Sequence, residues 1–276
     1  MSSNSFLLHP QAQSGCSDLL QQVADSCTAA HGLSSLSCSI YDTAWVSMIK
    51  KTIDGVPTWL FPSSFAHILD TQNPDGGWCS GLASDLDIIL STMAALLSLA
   101  RHRHLRDHTE QSNGGADLEE SISRASSFLR TKLQTWDVTA CDQVGFELLV
   151  PAHQQYLSEE GIVFSFPGED YLNTLGLRKR SLFSSELLYG DRPMSLTHSL
   201  EALIGAIDFD RLRHRLTFGS MLCSPASTAA YLIQTSKWDD EAEAYIRAAL
   251  KHGSGNGSGA VPSAFPTTIF EITWVC

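Results

Sequence analysis

The chain has 276 residues, with 18 Lys plus Arg against 30 Asp plus Glu and a formal net charge of −12. That balance excludes a nucleic-acid binder working by phosphate neutralisation, which needs a basic face. Hydrophobic residues make up 43% of the chain and charged residues 17%, which supplies a substantial core and excludes disorder of the whole chain.

Helical periodicity dominates along the chain. Leu19, Leu20, Val23, Ala24 and Cys27 place one apolar stripe on a helix from Asp18 to Ala30, capped by Ser17 and ended by His31-Gly32. A second helix is expected from Tyr41 to Lys51, stopping before the turn signal Asp54-Gly55-Val56-Pro57. A short helix over Phe65 to Thr71 is broken by Asn73-Pro74-Asp75-Gly76-Gly77. Ser84 or Asp85 caps a long apolar helix whose run from Ile88 to Ala100 is short of the ~20 residues needed to span a bilayer, so it reads as a buried helix. Asp117 to Gln134 carries an amphipathic stripe, and further helices are expected at Gly145 to Ser158, Ser195 to Ile207, Ser227 to Gln234 and Asp239 to Lys251. Period-2 patterning is scarce, Glu160 to Phe166 being the best strand candidate. The class is therefore all-α, with paired helices joined by loops, and the glycine-rich run Gly253 to Gly259 can carry a boundary.

Several motifs fail on context. Asp239-Asp240-Glu241-Ala242-Glu243 fits D-D-x-x-E, but acids in a first helical turn are favoured by the helix dipole, and no second metal arm accompanies them. His104 and His108 stand at i, i+4, yet Asn113-Gly114-Gly115 argues for a loop beyond a basic helix end rather than a zinc site. Gly255 to Ala260 fits G-x-G-x-x-A but follows a helix instead of a strand. The seven cysteines are scattered, odd in number and without a C-x-x-C pair, so they read as reduced thiols. With no basic n-region or long apolar segment at the N-terminus, a cytoplasmic location is expected.

Gln72-Asn-Pro-Asp-Gly-Gly-Trp78 is more specific, as a Q-x-x-D-G-x-W motif. Around it, in order, stand Ser39-Ile-Tyr-Asp-Thr-Ala-Trp45, Val144-Gly-Phe-Glu-Leu-Leu-Val-Pro151, His198-Ser-Leu-Glu201, Gly219-Ser-Met-Leu-Cys-Ser-Pro-Ala-Ser-Thr-Ala229 and Val261-Pro-Ser-Ala-Phe-Pro266 with Phe270-Glu271. In these six motifs the chain resembles the N-terminal part of class II diterpene cyclases, the copalyl diphosphate synthases, most closely the fungal bifunctional ent-copalyl diphosphate/ent-kaurene synthase type.

The resemblance implies an α/α-barrel fold of two domains, β and γ. Residues 1–51 would begin β, 52–260 would form γ, and 261–276 would return to a truncated β. It implies protonation-initiated cyclisation of geranylgeranyl diphosphate to a copalyl-type diphosphate, assisted by Mg²⁺. Such chemistry needs an acid, walls that keep water from a carbocation, and a base. The family's acid motif, D-x-D-D, is absent from the 276 residues, so the chain is expected not to turn over alone. The resemblance places a metal-associated carboxylate at Glu147, diphosphate-binding cations at Lys179 and Arg180, and a base at His198. The base's partner asparagine is Ser263 here. Gln72, Asp75 and Trp78 are read as structural: Trp78 packing on the adjoining helix, Gln72 bonding backbone. The competing expectation is a non-catalytic helical module, a truncated paralogue that pairs with a full-length cyclase or a downstream segment.

Overall fold

The computed structural model describes residues 31–32, 34–78, 83–106, 114–268 and 270–271. The helix expected over Asp18 to Ala30 lies outside the described residues, as do the side chains of His104 and His108. The chain divides into two compact units, one of residues 36–265 and one of residues 1–35 with 266–276. In the smaller unit, the buried Glu271 carboxylate accepts from Ser35 N and Thr267 Oγ1, both at 2.7 Å.

The larger unit is all-α, since its three antiparallel strand pairs are only two to four residues long. Strand β1 (Cys38–Ser39) runs straight into α1 (Ile40–Ser47). Ser39 caps that helix, its Oγ accepting from Asp42 N at 3.2 Å and donating to the Asp42 carboxylate at 2.6 Å. The helix ends at Ser47, earlier than the sequence pattern suggested. Lys50 to Ile53 presents mostly exposed side chains, with no stripe to hold it in a helix, and Asp54-Gly55 supplies two left-handed residues (φ 51° and 81°). The result is a hairpin of β2 (Lys50–Ile53) and β3 (Val56–Trp59).

Helix α2 (Pro62–Asp70) starts on a proline, and α3 (Asp85–Arg106) starts beside Ser84, whose Oγ accepts from Asp87 N at 3.1 Å. Helix α3 is apolar nearly all round. Ile89, Met93, Leu96, Leu97 and Leu99 are fully buried, and α1, α4 (Gly114–Thr135) and α5 (Phe146–Glu159) pack on it. The remaining elements are α6 (Glu169–Ser181), the single turn α7 (Glu186–Tyr189), three 3-10 segments (Val138–Ala140, Ser195–Leu203 and Phe209–Arg215), β4 (Leu216–Thr217), β5 (Ser220–Met221), α8 (Pro225–Gln234), α9 (Asp240–His252) and β6 (Val261–Pro262), which pairs with β1.

Two sequence expectations are corrected. Glu160 to Phe166 forms no strand. Its alternation is real, with Ile162, Phe164 and Phe166 buried and Val163 exposed, but the apolar face packs on helices and no second strand pairs with it. Ser195 to Leu203 is a kinked 3-10 segment rather than an α-helix, broken at Ser199 (φ −141°, ψ 43°). The glycine-rich loop is tied into the larger unit by Ser64 Oγ, which donates to Gly259 O at 2.7 Å. Among the described residues, no helix is long and apolar enough to cross a membrane.

Candidate functional site

A cavity of about 520 Å³ opens beside α5, α6 and the kinked 3-10 segment. Its walls are mostly apolar: Leu148 and Leu149 from the first turns of α5, Leu182 and Phe183 after α6, and Met194, Leu196, Ala202 and Leu203 from the 3-10 segment. Lys179, Arg180 and His198 line the same cavity. Two adjacent cations and a histidine from a later element are thus brought to one place. Cations at the end of α6 are favoured there by the negative end of the helix dipole.

Glu147 faces a second cavity of about 330 Å³, whose wall shares Lys179 and Leu182 with the first and adds Arg178. Lys179 Nζ lies 2.7 Å from Glu147 Oε1. Burial opposes ionisation of Glu147, but the hydrogen bond and charge of Lys179, with backbone N–H groups at the start of α5, outweigh it and hold the carboxyl below its ordinary value. Glu147 Oε2 is buried without a hydrogen-bond partner. An orphaned oxygen of an ionised carboxylate fits a role as one protein ligand of Mg²⁺, a metal that commonly takes one or two carboxylates and completes its shell with phosphate oxygens and water. Among the described residues no group of three or more His, Cys, Asp or Glu is placed to hold a metal without such outside ligands.

The close approach of α5 and α6 depends on Gly176. A β-carbon there would stand 2.6 Å from Glu147 O, the backbone of the residue that pairs with Lys179. Gly176→Ala must push the two helices apart. The expected cost is roughly 1–3 kcal/mol, read as a lower urea midpoint; an unchanged midpoint would show that the contact is not tight.

His198 stands one residue before the kink at Ser199. His198 is exposed at the cavity mouth, and its partial desolvation there lowers the imidazole below the ordinary value, so the ring is neutral at neutral pH. Ser263 is exposed beside β6 and is not among the residues lining this cavity.

Beneath the site lies a buried polar cluster that the sequence did not signal. Tyr41 Oη donates to Glu201 Oε1 at 3.0 Å, and Tyr156 Oη donates to Glu201 O at 2.7 Å. Glu201 Oε2 is buried and unpartnered. Burial pushes the Glu201 carboxyl up to about 8, aided by the nearby Asp42 charge, and pushes Asp42 itself up to about 7. His153, stacked edge-on with Trp45 and Tyr156, is driven down to about 4 by burial.

The other motifs resolve as structure. Gln72 Nε2 donates to Gly76 O (3.0 Å) and Ser121 O (2.9 Å), while its Oε1 accepts from Arg124 at 2.7 Å. Asp75 accepts from Gly77 N at 3.0 Å, and buried Trp78 donates from Nε1 to Ile68 O at 2.8 Å. Asp239 caps α9, accepting from Glu241 N and Ala242 N and pairing with Arg213 at 3.0 Å.

Known proteins are similar to this chain in sequence and fold. The chain is 46% identical over 262 residues to a copalyl diphosphate synthase of Talaromyces verruculosus, covering 95% of this chain and 27% of that protein. It is 42% identical over 269 residues to a bifunctional ent-kaurene synthase of Gibberella fujikuroi, covering 95% and 28%. Its fold matches an ent-copalyl diphosphate synthase from Arabidopsis thaliana, solved with (S)-15-aza-14,15-dihydrogeranylgeranyl thiolodiphosphate, with a TM-score of 0.73 at 26% identity over 96% of this chain and 35% of that one. The chain is a relative of the class II diterpene cyclases. It spans about a quarter of the length of the curated relatives it matches. No protein-family model matches it.

Proposed function

We propose that the chain supplies the diphosphate and isoprenoid cradle of a class II diterpene cyclase, acting on geranylgeranyl diphosphate in the formation of a copalyl-type diphosphate. One observation carries this reading: Lys179, Arg180 and a neutral His198 converge on a single apolar cavity. In this reading Lys179 and Arg180 hold the diphosphate, whose charge repels water-exposed carboxylates but is matched by the basic end of α6. Glu147 would hold Mg²⁺ through its free oxygen, and that ion, when bound, neutralises part of the diphosphate charge. The apolar walls accept the isoprenoid and keep water from a carbocation. His198, neutral at neutral pH, is the group in the cavity able to take up a proton at the end. Ser263, at the base-partner position, lies away from this wall and is assigned no step.

The acid that starts such a reaction is not among these 276 residues, because no D-x-D-D occurs. We therefore propose that the chain alone binds substrate without turning it over, and that residues 52–260 act as a γ-type domain between β-type segments 1–51 and 261–276. Turnover then requires a D-x-D-D-bearing segment of a cyclase. Calorimetric titration of geranylgeranyl diphosphate, with and without Mg²⁺, tests the cradle. Replacing both Lys179 and Arg180 by Ala should weaken binding by at least ~10-fold, on the order of one lost charged contact of 1.5–3 kcal/mol. Affinity equal to wild type in the double variant would refute the assignment.

A further inference from the structure

The kink that presents His198 is held from a different part of the chain. Ser227, fully buried in the first turn of α8, reaches across to the 3-10 segment with one hydroxyl. Its Oγ donates to Thr197 O at 2.7 Å and accepts from Leu200 N at 3.1 Å. These two backbone groups flank His198 and Ser199. The non-helical dihedrals of Ser199 remove the regular partners that Thr197 O and Leu200 N would have in a continuous helix, and a buried backbone group without a partner is costly. The hydroxyl satisfies both groups at once, in a site with no access for water. Ser227 is itself fixed by the cap of α8, its N–H donating to Ser224 Oγ at 3.1 Å with Pro225 between them. One side of the kink is further anchored by Tyr156 Oη on Glu201 O.

We propose that Ser227 is a positioning residue that clamps the kink at Ser199 and so sets the direction of the His198 side chain into the cavity. Its relevance to catalysis rests on the proposed function; the clamp itself does not. The charged groups that share the cavity with His198 are Lys179 and Arg180, and neither is among the hydrogen-bond partners of Ser227.

The test follows the imidazole of His198 by NMR titration of the 276-residue chain, its signal assigned with His198→Gln, in wild type, Ser227→Ala and Ser47→Ala. Ser47 is an equally buried serine whose hydroxyl bonds Ala44 O and Ser98 Oγ, away from the cavity, and it controls for general loosening. In Ser227→Ala the midpoint of His198 should rise toward its ordinary ~6.5, with His67 unmoved. Ser47→Ala should leave His198 where it is. A His198 midpoint unchanged in folded Ser227→Ala, or moved equally by Ser47→Ala, overturns the proposal. Should Ser227→Ala fail to fold, amide exchange in the wild type decides: Leu200 N–H must be protected, and exchange at the rate of an open peptide contradicts the clamp. No ligand enters any of these readings, so failure here is distinct from failure to bind geranylgeranyl diphosphate.

Discussion

Trp78→Ala should lower the stability of the larger unit by about 3–5 kcal/mol. Trp78 is 1% exposed and its Nε1 donates to Ile68 O near the end of α2. Removing the indole leaves a cavity that its surroundings can fill only in part, together with an orphaned carbonyl. The surroundings have little freedom to collapse. A β-carbon at Gly76 would meet the Arg124 backbone, one at Gly77 would meet the Phe128 ring, and Gln72 ties the loop to Ser121 and Arg124 of α4. Trp78→Phe, which keeps most of the volume but loses the donor, should cost about 1–2 kcal/mol. Urea unfolding monitored by circular dichroism reads both values. A loss below about 1 kcal/mol for Trp78→Ala would show that the motif is not the strut between α2 and α4 described above.

Glu201 and Asp42 make stability fall at mildly alkaline pH. Both folded values are raised, to about 8 and about 7, so the native state binds more protons than the unfolded chain from roughly pH 4 upward. Stability from these groups is full at low pH and is lost as pH rises through those values. His153 and His198 act in the opposite sense, because their lowered values make the unfolded chain bind more protons up to about 6.5. The two effects oppose each other below that pH, and the carboxyls act alone above it. Stability should therefore drop between about pH 6.5 and 8, each carboxyl contributing up to ~1.4 kcal/mol per pH unit. Glu201→Gln mimics the neutral acid and keeps an acceptor for Tyr41. Relative to wild type it should gain about 1–2 kcal/mol over that window. Parallel profiles for the two proteins would mean that Glu201 is already ionised in the fold.

Much of the fold was legible where a single element carries its own signal. Ser39, Ser84 and Asp239 are caps with their partners within three residues, and the run from Ile88 to Ala100 is apolar enough to announce a buried helix. Lys179 and Arg180 were named by motif, yet α6, which carries them, was not anticipated. Only Leu172 and Gly176 of that helix are buried, so it has no apolar stripe, and its order comes from packing on α5. The kink at Ser199 was equally hidden. Nothing in Ser195 to Leu203 breaks a helical pattern locally, and the group that stabilises the break, Ser227, is 30 residues from Thr197. The raised carboxyl at Glu201 is set by burial and by the charge of Asp42, far away in sequence, against the opposing hydrogen bond from Tyr41. Site chemistry of this kind is set by long-range neighbours, which periodicity and spacing do not report.

In the proposed function one cavity, bounded by the start of α5, the end of α6 and the kinked 3-10 segment, receives the isoprenoid diphosphate. That placement is tested most directly by photo-crosslinking the chain with a diazirine-bearing geranylgeranyl diphosphate and mapping the labelled peptides by mass spectrometry. Labels within residues 144–149, 179–187 and 194–203, competed away by unlabelled geranylgeranyl diphosphate, are the predicted result. Competed labelling confined to other segments, or no competed labelling, would contradict it.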